Sequence, residues 1–374
     1  MYWKKSLLLL SFVTLMSGLW AQDLHFTYFE MSPLSFNPAQ AGSFSGSIRL
    51  NGHFRGQWLG TGGYRTPAIG IDAPIIKGLR KYDWIGGGIS FYRDDAGSGG
   101  LITSGGGLNA AYHFGFDKNY SRVFSVGIKY GSHSRKLNEG FNLTLRDELI
   151  SGAPGADVAL IPQVSGTDGV QARSNSDYAI GFLYKAIPNK TTNFEIGLAA
   201  DHLTSPRTSL LVGAGRQPEP IDPSLPPPMC PDAADPRCSG IPVETDRRNI
   251  RFTSHANMTR HLNDKVRFSP GALMQFTRTG FEMQAHAIMG YVLDEKKQTI
   301  VNAGLGFRAI GPADAQLFLG AEMKDLKIGA AYDLGLVGFQ SGQGLQSAFE
   351  IAATYIIKIY KKPEVDPVIF CPRF

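Results

Sequence analysis

Apolar and polar side chains alternate with a period of two along most of the chain. Within 123–133, Phe124, Val126, Ile128 and Tyr130 share one face, and Ser125, Gly127, Lys129, Gly131 and His133 share the other. Within 194–201, Phe194, Ile196, Leu198 and Ala200 oppose Glu195, Gly197, Ala199 and Asp201. Within 281–291, Phe281, Met283, Ala285, Ala287, Met289 and Tyr291 oppose Glu282, Gln284, His286 and Gly290. Phe349, Ile351, Ala353, Tyr355, Ile357 and Ile359 likewise oppose Glu350, Thr354 and Lys358. Successive side chains of a strand point to opposite faces, so this pattern predicts strands; a helical period would scatter the same residues around an axis.

Such segments run about ten residues each, the length of a tilted membrane strand. They fall at 47–58, 66–74, 84–93, 104–114, 123–133, 177–185, 193–202, 250–260, 265–277, 280–292, 299–308, 314–323, 326–334 and 346–360. An even set of about fourteen predicts an all-β fold, a closed antiparallel transmembrane barrel with both termini in the periplasm. The connections fall into phase. Every second one is short, at 75–83, 115–121, 186–192, 261–264, 293–298 and 324–325, as periplasmic turns are. Both long stretches, 134–176 and 203–249, fall in the other, outer set.

The two faces then acquire sides. In the first strand Arg49, Asn51, His53, Arg55 and Gln57 share a face with Ser47, opposite Ile48, Leu50, Phe54 and Trp58. An arginine toward lipid costs roughly 2–4 kcal/mol at mid-depth, so this face is expected to line the lumen. Trp58, Trp84, Tyr92, Tyr112, Tyr130 and Tyr184 lie near strand ends and are expected in the interfacial aromatic girdles.

Composition agrees with a lipid-facing β protein. Glycine supplies 44 of 374 residues, charged residues only 18%, and the mean hydropathy is −0.11. The net charge of +5 and the absence of a long Lys/Arg cluster argue against a nucleic-acid partner. Lys4 and Lys5, then an apolar run from Ser6 to Trp20 and the small Ala21, read as a secretory signal, 1–21. The mature chain then divides into a periplasmic N-terminal segment, 22–46, the barrel, 47–360, and a periplasmic tail, 361–374. Cys230 and Cys238 lie in a proline-rich stretch and are candidates for a local disulfide in an outer loop; Cys371 stands alone.

Nothing in the sequence reads as catalytic. The histidines, one per strand or at strand ends, include no H-E-x-x-H or similar metal spacing. No G-x-S-x-G elbow is present, and Gly86–Gly88 and Gly105–Gly107 lack the P-loop lysine and sit within strand patterns. Asp94 and Asp95 are too few for a calcium loop. No enzymatic activity, cofactor or metal is expected.

Several stretches together resemble the PorP/SprF family, outer-membrane proteins of the type IX secretion system in Bacteroidetes. The opening Gln22 to Tyr28 is similar to the family's mature start. Asn37-Pro38-Ala39-Gln40-Ala41-Gly42 resembles its N-P-A-x-A-G signature, Arg55-Gly56-Gln57-Trp58 its R-x-Q-W, and Cys371-Pro372-Arg373-Phe374 its C-terminal form. The resemblance implies a non-enzymatic outer-membrane barrel, in contact with outer-membrane lipids, serving protein export or gliding-adhesin secretion. Its implied partners are a secreted cargo's C-terminal domain, the translocon and periplasmic ring components. In the tail, Phe370, Pro372, Arg373 and Phe374 are the candidate contacts. Read from the residues alone, Asn37-Pro38 and Ala41-Gly42 form a turn before the first strand. A barrel transporter for hydrophobic molecules and a lipid-acting barrel enzyme are the alternatives.

Overall fold

The computed structural model describes residues 25–57, 63–96, 101–137, 173–206, 247–278, 280–294, 298–309, 313–335 and 347–359. It contains fourteen strands: β1 (Ile48–Gln57), β2 (Tyr64–Lys77), β3 (Trp84–Ala96), β4 (Leu101–Gly115), β5 (Arg122–Leu137), β6 (Arg173–Asn189), β7 (Thr192–Asp201), β8 (Arg251–His261), β9 (Val266–Thr277), β10 (Gly280–Asp294), β11 (Thr299–Ala309), β12 (Ala313–Met323), β13 (Leu326–Gly335) and β14 (Ser347–Ile357). Each pairs antiparallel with its neighbours in sequence, and β1 pairs with β14 from Ile48↔Ile357 to Gln57↔Ala348. The sheet is a closed barrel and has no edge. Closure matters in lipid, where an unpaired strand edge would leave backbone polar groups without water.

The alternation sorts the side chains as lipid requires. Across five strands the register sets Ile71, Ile89, Leu108, Tyr130 and Tyr178 in one row. All five point outward and are exposed. The same strands turn Asp72, Asn109, Ser125 and Asp177 inward, where they are buried. Both barrel ends of the chain, Ile48 and Ile357, sit at one rim, together with the short turns. The connections 138–172 and 207–246 leave from the opposite rim and lie outside the described residues.

What buries the inner face is the N-terminal segment. Residues 25–46, expected to lie in the periplasm, run inside the lumen instead. Their path is three single 3₁₀ turns, Phe29–Met31, Pro33–Ser35 and Pro38–Gln40. Phe26, Tyr28, Phe29, Met31, Leu34 and Phe36 are all buried there, packed on inward apolar residues such as Leu273, Ile288 and Phe318. The physical reason is the segment's aromatic content: leaving these rings in water would forfeit roughly 1.5–3 kcal/mol for each large side chain.

The plug also redirects two aromatics expected in the girdles. Trp84 faces inward, stacks on buried His113 at 4.6 Å and donates from Nε1 to the Gly42 carbonyl at 3.0 Å. Tyr92 packs against the cluster of Phe26, Phe29 and Phe36. A period of two says which residues share a face; it does not say that an aromatic at a strand end serves the lipid side.

Candidate functional site in the plugged lumen

The candidate site is the contact between plug and wall, and it begins with a charge cluster around the first described residues of the plug. Arg55 from β1 reaches Asp333 from β13 at 2.7 Å and Glu350 from β14 at 3.0 Å. Arg308 from β11 reaches the same Asp333 at 2.8 Å. Two cations thus face two anions, each nearly inaccessible to water. Plug residue Thr27 sits among them. Its hydroxyl accepts from Arg55 Nη1 (2.6 Å) and Arg308 Nη2 (2.9 Å) and donates to Asp333 (2.9 Å). The backbone N–H groups of Thr27 and Tyr28 donate to Glu350 at 2.8 and 2.6 Å, and Gln284 Nε2 donates to the Thr27 carbonyl at 2.5 Å. His53 approaches Glu350 at 2.6 Å and stacks under Phe26, with centroids 4.0 Å apart. Charge-assisted bonds of this kind are roughly twice as strong as neutral ones, and here they hold backbone as well as side chain.

A second lock holds the family-like hexapeptide. Arg49 and Asp72 pair in bidentate fashion at 2.9 and 2.8 Å. Arg49 also donates to the Gln40 carbonyl (3.0 Å), and Asp72 accepts from the Gly42 N–H (2.7 Å). Asn37 Oδ1 accepts from Ala39 N at 2.9 Å and caps the third 3₁₀ turn. Its amide nitrogen donates to the Phe182 carbonyl of the wall at 3.0 Å. His113 Nε2 lies 2.8 Å from the Ala41 carbonyl, and Lys185 donates to the Ser43 carbonyl at 2.7 Å. Two wall glycines make this approach feasible. A Cβ on Gly127 would overlap the Ala39 backbone, and one on Gly86 would overlap the Ala41 carbonyl. Gly42 itself turns at φ +71°, a conformation that side chains disfavour.

The plug contributes its own ionisable groups. Glu30 approaches His286 at 2.6 Å. Burial works to raise its carboxyl, and His286, together with Lys327 and a backbone hydrogen bond, outweighs it, holding the carboxyl below its ordinary value of 4.5. Burial, with Glu30 next in weight, pushes the Tyr28 hydroxyl up.

The expected lumen-facing residues Arg49, Asn51, His53, Arg55 and Gln57 all lie buried on the inner face. Gln57 sits 3.0 Å from His25 of the plug. Asn37, Pro38, Ala39, Ala41 and Gly42 come together with Arg49 but not with Arg55, which holds an earlier part of the plug. Trp58, Cys230, Cys238, Phe370, Pro372, Arg373 and Phe374 lie outside the described residues, as do the signal 1–21 and the tail 361–374. Asp94 and Asp95 do not converge: Asp94 accepts from Thr66 at 2.7 Å, while Asp95 pairs with exposed Arg93 at 3.4 Å. Sequence reasoning missed Thr27 as the plug's central contact, and Asp72, Arg308 and Asp333 as its partners in the wall. The available signal was the aromatic run from Phe26 to Phe36, which has no partner unless it enters the barrel.

Among solved structures, the chain is similar to the CymD monoaromatic hydrocarbon channel, at 11% identity, with 92% of this chain and 96% of that one covered and a TM-score of 0.46. It is also similar to the Pseudomonas putida toluene transporter TodX (11%, 91% and 95%, TM-score 0.45). A Pseudomonas aeruginosa FadL homologue is similar at 14%, with 85% and 92% covered and a TM-score of 0.44. Among curated proteins, none matches the chain. The model of the family described as type IX secretion system membrane protein PorP/SprF matches residues 19–355, nearly the whole barrel with its plug. With a closed barrel belted by exposed apolar side chains and that match, the chain belongs to the PorP/SprF family of the type IX secretion system, in the outer membrane.

Proposed function

We propose that the protein is a non-enzymatic barrel that serves type IX export as a docking partner, with its lumen shut. The observation that supports this most is the plug's double lock, through Arg55 and Arg308 at Thr27 and through Arg49 and Asp72 at Gln40 and Gly42. A filled, charged interior suits a rigid platform. It does not suit the alternative, a passage for hydrophobic molecules, which would need an apolar path. In this reading the rim with the short turns faces the periplasm, as such turns do in outer-membrane barrels. The outer loops, 134–176 and 203–249, hold a secreted protein's C-terminal domain. The tail 361–374 contacts the translocon or the periplasmic ring, with Phe370 and Phe374 as anchors. Gliding-adhesin secretion is the most specific form of this role. Deleting residues 363–374 is expected to leave the barrel inserted while cargo export falls. Export that persists undiminished, with the truncated protein in the membrane, removes the tail's role. Export of all type IX cargo without the gene removes the function.

A further inference from the structure

Below the plug, at the rim that carries the short turns, a recess of about 690 Å³ opens into the barrel mouth. Its apolar lining includes Phe44, Pro74, Trp84, Val123, Ala186 and Met258. Two carboxylates also line it, and both are engaged. Asp83 accepts from the Tyr112 hydroxyl at 2.8 Å and from Gly115 N at 3.1 Å. Glu195 pairs with Lys185 at 3.1 Å.

The rim around this recess is cationic. Lys77 ends β2 and Arg80 and Lys81 follow on the β2–β3 connection, Lys118 lies on the next connection with Arg122 opening β5, and Lys190 on the β6–β7 turn; all six are exposed. Further round, Lys265 and Lys324 are exposed as well. The acids of these turns keep their charge but are fewer than the cations. Asp117 is tied to its own turn by Ser121 (2.6 Å) and Asn119 N (3.0 Å), and Asp325 pairs with Lys358 (2.5 Å). Asp264 is exposed among them.

We propose that this mouth is a docking site for an acidic segment of a partner protein that inserts an apolar, aromatic anchor into the recess. The cation ring supplies attraction and orientation; the recess supplies the desolvated pocket that an anchor needs. A protein segment fits better than a lipid headgroup, because the apolar surface lies inside the mouth and not on the lipid-facing side. The inference deepens the docking role above and rests on it only for the compartment in which the partner waits.

The probe is a fluorescein-labelled synthetic peptide with a tryptophan pair flanked by glutamates, titrated onto the purified full-length protein. Binding is expected to be saturable and to weaken about tenfold or more as salt screens the ring. K77E/R80E/K81E, at exposed positions at the end of β2 and in the connection after it, is expected to lose about the same factor and to favour a lysine-flanked peptide instead. Ser45→Trp, at an exposed position of the lining, is expected to fill the recess and abolish binding while the barrel keeps its heat-modifiable migration. A glutamine-flanked or tryptophan-free peptide that binds as tightly overturns the proposal. So does binding to anionic lipid vesicles that the triple variant loses and Ser45→Trp keeps, since the cations would then serve the membrane. These assays read the mouth alone, so their failure leaves the export role to be judged by secretion.

Discussion

Arg55 and Arg308 converge on one oxygen: each guanidinium reaches Asp333 Oδ2, at 2.7 and 2.8 Å, from strands on different parts of the wall. Removing the shared acid leaves two buried cations with one carboxylate each, Glu350 at Arg55 (3.0 Å) and the more distant Glu282 at Arg308 (3.3 Å). Loss of one partner from a buried ion pair typically costs ~3–5 kcal/mol. Asp333→Asn is therefore expected to loosen the plug while the strands stay paired. The check uses Met31→Cys, a buried plug position outside the charge cluster, in a background where Cys230, Cys238 and Cys371 are serine. Water-soluble maleimide is expected to label it slowly alone and rapidly with Asp333→Asn; equal protection in both would show that the lock does not hold the plug.

The second lock predicts a different phenotype. Asn37→Ala removes the cap on Ala39 N, which is buried, and the donor to the half-buried Phe182 carbonyl. Each buried group left without its partner costs about 1–3 kcal/mol. Gly127→Val places a side chain where the Ala39 backbone runs. Both variants are expected to lower the thermal midpoint of the plugged form, Gly127→Val by more. A rise or no change in Gly127→Val would mean that the wall does not need its glycine there.

The barrel's rows were legible in the sequence because lipid imposes a strict period of two. The expected segment 265–277 becomes Val266–Thr277, and 326–334 becomes Leu326–Gly335. Where the pattern weakens, the ends move: 177–185 grows to Arg173–Asn189, because outward Ser174 and Ser176 do not contrast with their neighbours. The plug was not legible as lumen filling. Its three 3₁₀ turns have no period to detect, and its partners come from strands far along the chain. Arg308, Asp333 and Glu350 read singly as charges on polar faces; only the register of β11, β13 and β14 brings them to Thr27.

Acid is expected to weaken the plug through Glu30. Its carboxyl is held below its ordinary value of 4.5, so the charged form stabilises the folded state. That contribution is complete above the unfolded value and is lost as pH falls through the lower, folded one. The thermal midpoint of the native protein is expected to exceed that of Glu30→Gln at neutral pH. The gap should close on acidification below 4.5. A gap that widens toward acid would reverse the sign and assign the stabilising charge elsewhere.

Whether the plug must leave decides between a docking platform and a channel. Leu34 points at the wall, with its Cδ1 3.7 Å from where a Cβ on Gly70 would stand. A cysteine at each position is therefore within reach of a short thiol cross-linker, in a background where Cys230, Cys238 and Cys371 are serine. Tethering fixes the plug without touching either charge lock. A platform works with its lumen shut, so cells in which the tether has formed are expected to export cargo as the untethered double variant does. A channel must clear its lumen, and tethering would stop export, with recovery on cleaving a reducible linker. That second outcome would refute the docking reading and make the plug a moving part; the first would leave the long connections and the mouth at the opposite rim as the working surfaces.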